Sequence, residues 1–318
     1  MTIVMRCGGT GKASQKIQLN VEYVCSCMYV VVWYVCRIVV RIKTKMRISS
    51  RLDVALARKV SAEALGTAGL VSAVIGSGIM AERLSPDDIG LQLLENAYAT
   101  MGALIGLILM FGTVSGAHFN PIVTILDRLL GNMKSTRDVI AYVFAQVFGG
   151  CAGAILANLM FERPAFEVST KVRASLAHWL SEVVATVTLL LVIHSCVRTG
   201  RSAVVPFAVG LWIGGAYFFT SSTSFANPAV TIARTLSDSF AGIAPSSIIG
   251  FIISQFIGMI IAWGLILWFY PCESLDEELG ITEVNEELLD LTKKVEVENG
   301  TSPQDVSETL SSTLEPSK

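Results

Sequence analysis

Long uncharged stretches alternate with short clusters of charge along the chain. The uncharged runs are 64–81, 96–126, 139–161, 183–197, 202–233 and 239–272. A membrane-spanning helix needs about 20 mostly apolar residues. The run 183–197 is short by that measure, so its helix is expected to start earlier and to carry Glu182 inside it. The runs 96–126 and 202–233 are too long for one span, and each ends in an Asn-Pro segment. Each therefore reads as one full helix followed by a half helix that dips into the membrane. The pattern predicts an all-α membrane protein of six transmembrane helices and two re-entrant half helices.

The two Asn-Pro segments are near copies. One reads Ser115-Gly116-Ala117-His118-Phe119-Asn120-Pro121-Ile122, the other Ser222-Thr223-Ser224-Phe225-Ala226-Asn227-Pro228-Ala229. Asn caps free amides at a helix start, and Pro at the first helical position loses no hydrogen bond. A helix that starts at membrane depth aims the positive end of its dipole at whatever passes there. Other positions repeat as well. Glu63-x-x-Gly66-Thr67, which opens the first span, answers Glu182-x-x-x-Thr186, which opens the fourth, and Gln146-x-x-Gly149 in the third answers Gln255-x-x-Gly258 in the sixth. Three spans per half set the second copy upside down relative to the first, an inverted repeat. Two half helices then enter from opposite sides and meet at the midplane, which describes a pore. The alternative reading of Asn-Pro is a pair of kinked helices in a packed bundle.

Composition agrees with a polytopic membrane protein. The mean hydropathy is +0.59, with 52% apolar and 16% charged residues, less charge than a soluble chain of this length carries. Residues 1–59 form a basic extension with eleven Lys/Arg against Glu22 and Asp53. Its uncharged run 23–36 is short for a span, and reads as an interfacial anchor or as part of an upstream start placed ahead of Met46. The membrane domain is assigned to 60–270. The tail 271–318 holds 13 of the 26 acidic residues and three lysines, a disordered, solvated composition. Arg37 to Lys59 places eight basic residues before the first span, which favours a cytoplasmic N-terminus, and six spans return the C-terminus to the same side. The other loops are even in charge: Arg128, Lys134, Arg137, Arg198 and Arg201 fall inside, Arg83, Arg163, Lys171, Arg173 and Arg234 outside. The seven cysteines are scattered without a CxxC pair, so neither a disulfide framework nor a metal site is expected. Cys25-Ser26-Cys27 alone is a weak soft-metal signal.

On these residues the chain resembles the aquaporin, or major intrinsic protein, family. The resemblance covers about 60–270 and rests on both Asn-Pro boxes, the Ser-Gly-Ala-His lead-in, and the Glu and Gln of each half. It implies a channel in which Asn120, Pro121, Ile122 and Asn227, Pro228, Ala229 form the two boxes at the pore's centre. The approaching carbonyls, Gly116, Ala117 and His118 (to Phe119) and Thr223, Phe225 and Ala226, would line the rest as acceptors. Irregular backbone at membrane depth is tolerated only where it is buried in protein or lines water. Glu63 and Glu182 would brace the two loops, with His118 the expected partner of Glu63; a proton relay between that pair is the other reading.

Two departures stand out from the family pattern. Ile122 occupies a position that is usually Ala, and its bulk is expected to shift packing or narrow the pore. Val230 follows the second box where the family has an Arg that forms the outer selectivity filter. Val supplies neither the cation nor the donors of a guanidinium, so a wider, less polar filter is expected. By position its other members are Thr100, Ser224 and either Tyr217 or Gly215. Thr231 stands where glycerol facilitators have Asp. The Val230 pattern is similar to a bacterial subgroup linked to arsenic detoxification. Arg234, one turn past Val230, either snorkels to the headgroups or places a displaced cation at the outer mouth.

The resulting expectation is a passive, multi-pass cell-membrane channel for water and small neutral solutes: glycerol-like polyols and, through the subgroup resemblance, arsenous acid. Its partners are those solutes and the lipid bilayer. A homotetramer, one pore per subunit, is implied by the family. No enzyme activity, cofactor or nucleic-acid partner is expected, since the pore motifs contain no nucleophile–base pair or metal cluster. A secondary transporter and a non-conducting structural member of the same fold are the alternatives. The sequence does not rank the solutes.

Overall fold

The computed structural model describes residues 51–271, with side chains from Val54 onward. The run 23–36, the Cys25-Ser26-Cys27 triplet, the start at Met46 and the acidic tail lie outside the described residues. Within them the helices are α1 (Arg51–Leu84), α2 (Ile89–Ser115), α3 (Pro121–Leu129), α4 (Thr136–Met160), α5 (Leu176–Arg198), α6 (Val205–Phe219), α7 (Pro228–Ala233) and α8 (Ile248–Phe269). Six of these are long and apolar enough to cross a membrane, α6 and α8 with the short 3-10 turns that precede them. The order long, long, short, long occurs in each half of the chain.

Helix starts follow capping chemistry. Asp88 accepts from the amide of Leu91 at 2.9 Å, and Ser135 and Ser175 cap α4 and α5 in the same way. As the short run 183–197 required, α5 begins at Leu176 and carries Glu182 in its second turn. The first span differs from expectation. Because α1 starts at Arg51, Glu63 lies about three turns inside the helix rather than at its opening, and the boundary drawn at 59/60 falls within it. Charge marks where the membrane ends, and the helix continues past it.

The described residues divide into two compact units. The first comprises 51–171 and 228–245, which is α1 to α4 and α7. Here α1 packs along both α2 and α4, and α7 lies against α4 and touches α3. A Cβ on Gly149 would stand 2.1 Å from the Ala64 carbonyl oxygen, and one on Gly153 2.3 Å from that of Ala68. Only glycine lets α4 approach the α1 backbone so closely, a small-residue seam of the kind membrane helices use. The second unit comprises 172–227 and 246–271, which is α5, α6 and α8. There α5 packs on α8 and on α6. A Cβ on Gly258 would meet the Val183 carbonyl at 2.9 Å and Thr186 at 2.8 Å.

Polarity is arranged from the inside out. Phe144, Phe148 and Trp268 are exposed on the helix surfaces, whereas Glu63, Gln146, Glu182 and Gln255 are wholly buried. Carboxylates are costly at membrane depth and occur there with partners. Those partners define the site.

Candidate functional site: two clamped Asn-Pro loops

Asn120 has the extended backbone of an N-cap, and its Oδ1 accepts from the amide of Ile122 at 3.0 Å. Pro121 opens α3, so the half helix begins at the predicted residue. The loop leading into it is held by Glu63. Glu63 Oε1 accepts from the Ser115 hydroxyl at 2.6 Å and the His118 amide at 3.0 Å. Its Oε2 accepts from the Phe119 amide at 2.7 Å and Gln146 Nε2 at 2.8 Å. Gln146 Nε2 also reaches Thr124 Oγ1 at 2.9 Å, and that hydroxyl returns to the Asn120 carbonyl at 3.1 Å. Gly149 lies one turn beyond Gln146, so the close approach of α4 to α1 is what brings the amide within reach of Glu63.

The second loop repeats this at the same offsets, within unit two. Glu182 Oε1 accepts from the Phe225 amide and Oε2 from the Ala226 amide, both at 2.9 Å, and Gln255 Nε2 donates to Oε2 at 2.7 Å. These are the two residues before Asn227, as His118 and Phe119 are before Asn120. Gly258 again lies one turn past the glutamine. The serine five residues before each Asn also accepts from the amide two residues on: Ser115 Oγ from that of Ala117 at 3.0 Å, and Ser222 Oγ from that of Ser224 at 3.2 Å.

Both loops hold left-handed backbone at residues other than glycine: Ala117 (φ 51°) and Phe119 (φ 50°) in the first, Thr223 (φ 63°), Ser224 (φ 50°) and Ala226 (φ 45°) in the second. Such conformations persist where the surroundings over-determine them. The carboxylate clamps do so here. Every peptide bond among the described residues is trans, so each C=O points opposite the N–H of the same peptide. With the amides of His118 and Phe119 aimed at Glu63, the carbonyls of Ala117 and His118 are aimed away from it. In the second loop the carbonyls aimed away from Glu182 are those of Ser224 and Phe225.

The His118 ring does not partner Glu63. Its Nδ1 contacts Thr124 Oγ1 at 3.1 Å, Nε2 lies 3.8 Å from Asp127, and only its main-chain amide meets Glu63. Left-handed residues on both sides turn the amide one way and leave the ring on the other. Arg234 also departs from both expectations. Helix α7 ends at Ala233 and passes into a 3-10 turn, and Arg234 is buried with Nε donating to the Ala241 carbonyl. It pins the segment that follows the half helix.

Ile122 is fully buried at the start of α3. Pro228, Ala229 and Val230 form the buried start of α7, where Gly150 of α4 faces the Ala229 carbonyl. Thr100, midway along α2, is buried in unit one; Ser224, Asn227 and, on α6, Tyr217 are buried in unit two. Gly215 is exposed with open space above it. Sequence reasoning missed Thr124 and Tyr142, whose hydroxyl donates to the Ser115 carbonyl at 2.8 Å. It missed Arg173 as well. The recurrence of Ser five residues before each Asn, and of Thr four after it, was the available signal.

Two half helices, each opening at the Pro of an Asn-Pro pair and preceded by a loop clamped on a buried carboxylate, define a polytopic membrane protein of the aquaporin type. The family model described as major intrinsic protein matches residues 48–226. The chain is 49% identical over 213 residues to the aquaglyceroporin AqpS of Rhizobium meliloti (strain 1021), covering 67% of this chain and 90% of that protein. It is 31% identical over 169 residues to aquaporin Z of Photorhabdus laumondii, covering 48% of this chain and 72% of the other. The X-ray structure of the aquaglyceroporin from Plasmodium falciparum has the same fold, with a TM-score of 0.54 at 22% identity over 70% of this chain and 99% of that one. The chain belongs to the major intrinsic protein family. It is a multi-pass membrane channel for water and small solutes such as glycerol.

Proposed function

We propose that the channel passes water and small neutral polyol-like solutes through a selectivity filter that lacks the family's half-helix arginine, and that arsenous acid is within its solute range. The observation that carries the channel chemistry is the twin clamp. Glu63 and Glu182 spend their acceptors on loop amides, and the opposed carbonyls of Ala117, His118, Ser224 and Phe225 become the acceptors offered to a permeating hydroxyl. Gly116, Thr223 and Ala226 flank them and complete the acceptor rows. Asn120 and Asn227 cap the half helices and donate from their side-chain amides at the centre. The positive ends of α3 and α7 oppose cations and hydronium.

By family position the filter consists of Thr100, Tyr217, Ser224 and Val230. Tyr217 is preferred to Gly215 because Tyr217 is buried and Gly215 exposed on α6. A neck without a guanidinium excludes less by size and by charge. Arsenous acid, neutral at pH 7 and carrying three hydroxyls, meets the same acceptors as a polyol, and the subgroup resemblance supports including it; the similarity to an aquaglyceroporin supports the polyols. We further propose a homotetramer with one pore per subunit and both termini cytoplasmic, and we assign the chain no catalytic role. Stopped-flow light scattering on proteoliposomes, with water, glycerol, urea and arsenous acid gradients, tests the reading. Permeabilities above those of empty vesicles for water and glycerol are expected. Saturable uptake driven by an ion gradient would refute it in favour of a coupled transporter.

A further inference from the structure

We propose that the loop between α5 and α6, through Arg201 with Arg198 beside it, is a docking site for the acidic segment Glu273–Glu278 of this chain's own C-terminal tail. Helix α5 ends in a fixed turn. Gly200 has left-handed backbone (φ 71°), its amide donates to the Val197 carbonyl at 3.1 Å, and the Arg201 amide donates to the Cys196 carbonyl at 2.8 Å. This pair of bonds is a glycine-terminated C-cap, which closes the helix and sets the direction in which Arg201 leaves it. Thr199 Oγ1 donates to the Ser195 carbonyl at 2.7 Å and accepts from Arg201 Nε at 2.9 Å, so one edge of the guanidinium is anchored. Arg201 is exposed, and Arg198 is half-buried in the last turn of α5.

Helix α8 brings its exit to the same place. A Cβ on Gly250 would meet Trp179, and one on Gly258 would meet Val183 and Thr186, so α5 and α8 lie side by side and run in the same direction. Twelve residues beyond the Thr186–Gly258 contact stand Arg198 on one helix and Tyr270 at the end of the other. The chain therefore leaves α8 level with the end of α5. Beyond Pro271 the sequence reads Cys272-Glu273-Ser274-Leu275-Asp276-Glu277-Glu278, with four carboxylates in the six residues 273–278. An extended chain covers up to about 10 Å from Tyr270 to Glu273 and about 28 Å to Glu278. Since α5 packs on α8, and packed helices lie roughly 8–10 Å apart, the whole segment is within reach of the loop. Charge selects the occupant. The described residues of the second unit hold three arginines, Arg173, Arg198 and Arg201, against one carboxylate, Glu182. Glu182 is buried and accepts from the Phe225 and Ala226 amides and from Gln255. Attachment beside the loop gives the tail's carboxylates an effective concentration of roughly millimolar, an advantage over any untethered anion.

The test introduces Ser202→Cys and Leu275→Cys, with Cys272→Ser, into the full chain in phosphatidylcholine nanodiscs and follows the disulfide between the two new cysteines by mass spectrometry. Adding Arg198→Gln and Arg201→Gln is expected to slow its formation by about fivefold, the scale of one good surface ion pair. Raising the salt to roughly 1 M, where charges are screened beyond about 3 Å, should slow the parental pair to a similar extent. Arg201→Glu should also slow it, and Glu277→Lys with Glu278→Lys should restore the rate in that background. A tail that meets the loop only because it is tethered would give one rate in every variant and at every salt concentration, and that result overturns the proposal. It falls equally if the arginine variants lose retained phosphatidylglycerol in discs containing it while cross-linking stays at the parental rate, because lipid headgroups then occupy the loop. Should the arginine variants fail to insert, the salt series on the parental pair decides: a rate independent of salt overturns the docking.

Discussion

Replacing Glu63 with Gln changes one atom of a fully buried side chain and should cost much of the molecule's stability. The carboxylate accepts four hydrogen bonds, from Ser115, His118, Phe119 and Gln146, at 2.6, 3.0, 2.7 and 2.8 Å. Glutamine retains one acceptor oxygen and puts an amino group where the other stood. If that group replaces Oε1, the Ser115 hydroxyl can turn to accept from it, but the His118 amide cannot. If it replaces Oε2, Gln146 can rotate its own carboxamide, whose Oε1 accepts no bond among the described residues, but the Phe119 amide cannot turn away. Either way one main-chain N–H faces another donor. A hydrogen bond to a charged acceptor is worth about 1.5–3 kcal/mol, and a stranded buried donor costs about 1–3 kcal/mol more. The expected destabilisation is therefore on the order of 3–5 kcal/mol. For a domain of this size that is a fall in melting temperature on the order of 10 °C, measurable by thermal unfolding of the detergent-solubilised protein. Relaxation of the left-handed turns at Ala117 and Phe119 should lower water flux as well. Glu182→Gln should act in the same direction through Phe225 and Ala226. A Glu63→Gln protein that melts within about a degree of wild type and conducts normally would show that the clamp does not hold the loop.

Three further perturbations follow from the same geometry. Asn227→Asp places a carboxylate at the cap of α7, cancels part of its positive field and should let cations leak; unchanged ion exclusion in conductance measurements would count against the dipole argument. Val230→Arg should narrow the neck and add a fixed charge, lowering glycerol flux by about tenfold or more while water changes less; an unaltered solute-to-water ratio would move the filter away from Val230. Gly149→Ala drives a methyl to within 2.1 Å of the Ala64 carbonyl and should cost at least the roughly 1–3 kcal/mol of ordinary overpacking. The matched Gly102→Ala on α2, with open space around it, should leave the melting temperature unchanged.

What the sequence made legible is what it wrote twice. A single buried Glu or Gln carries little information, but Glu63 with Glu182, Gln146 with Gln255, and Gly149 with Gly258 recur at fixed distances from one another. Repetition exposes a shared three-dimensional constraint: the glycine sets the helix spacing, the glutamine one turn earlier reaches across it, and the glutamate is met there. Helix existence was equally plain, because lipid-facing length and charge-free runs are properties of composition. The sequence-based misreadings concern residues whose role depends on backbone direction. His118 is expected to partner Glu63 because both fall on the inner side, yet left-handed turns on either side send its amide there and its ring to Thr124. Arg234 was placed by helical periodicity from Val230, but α7 stops at Ala233 and the periodicity stops with it.

Arg173 shows the limit most clearly. In the sequence it is one basic residue among several in a loop, useful only for counting charge. Nothing in its neighbours repeats in the other half, so no comparison of halves could single it out. Its significance comes from burial and from the Ser222 carbonyl and Phe225 ring that receive it. Loop residues with no counterpart in the other half are thus where sequence says least about position, and the Val230 variant decides how much of the solute range is set at the second Asn-Pro box.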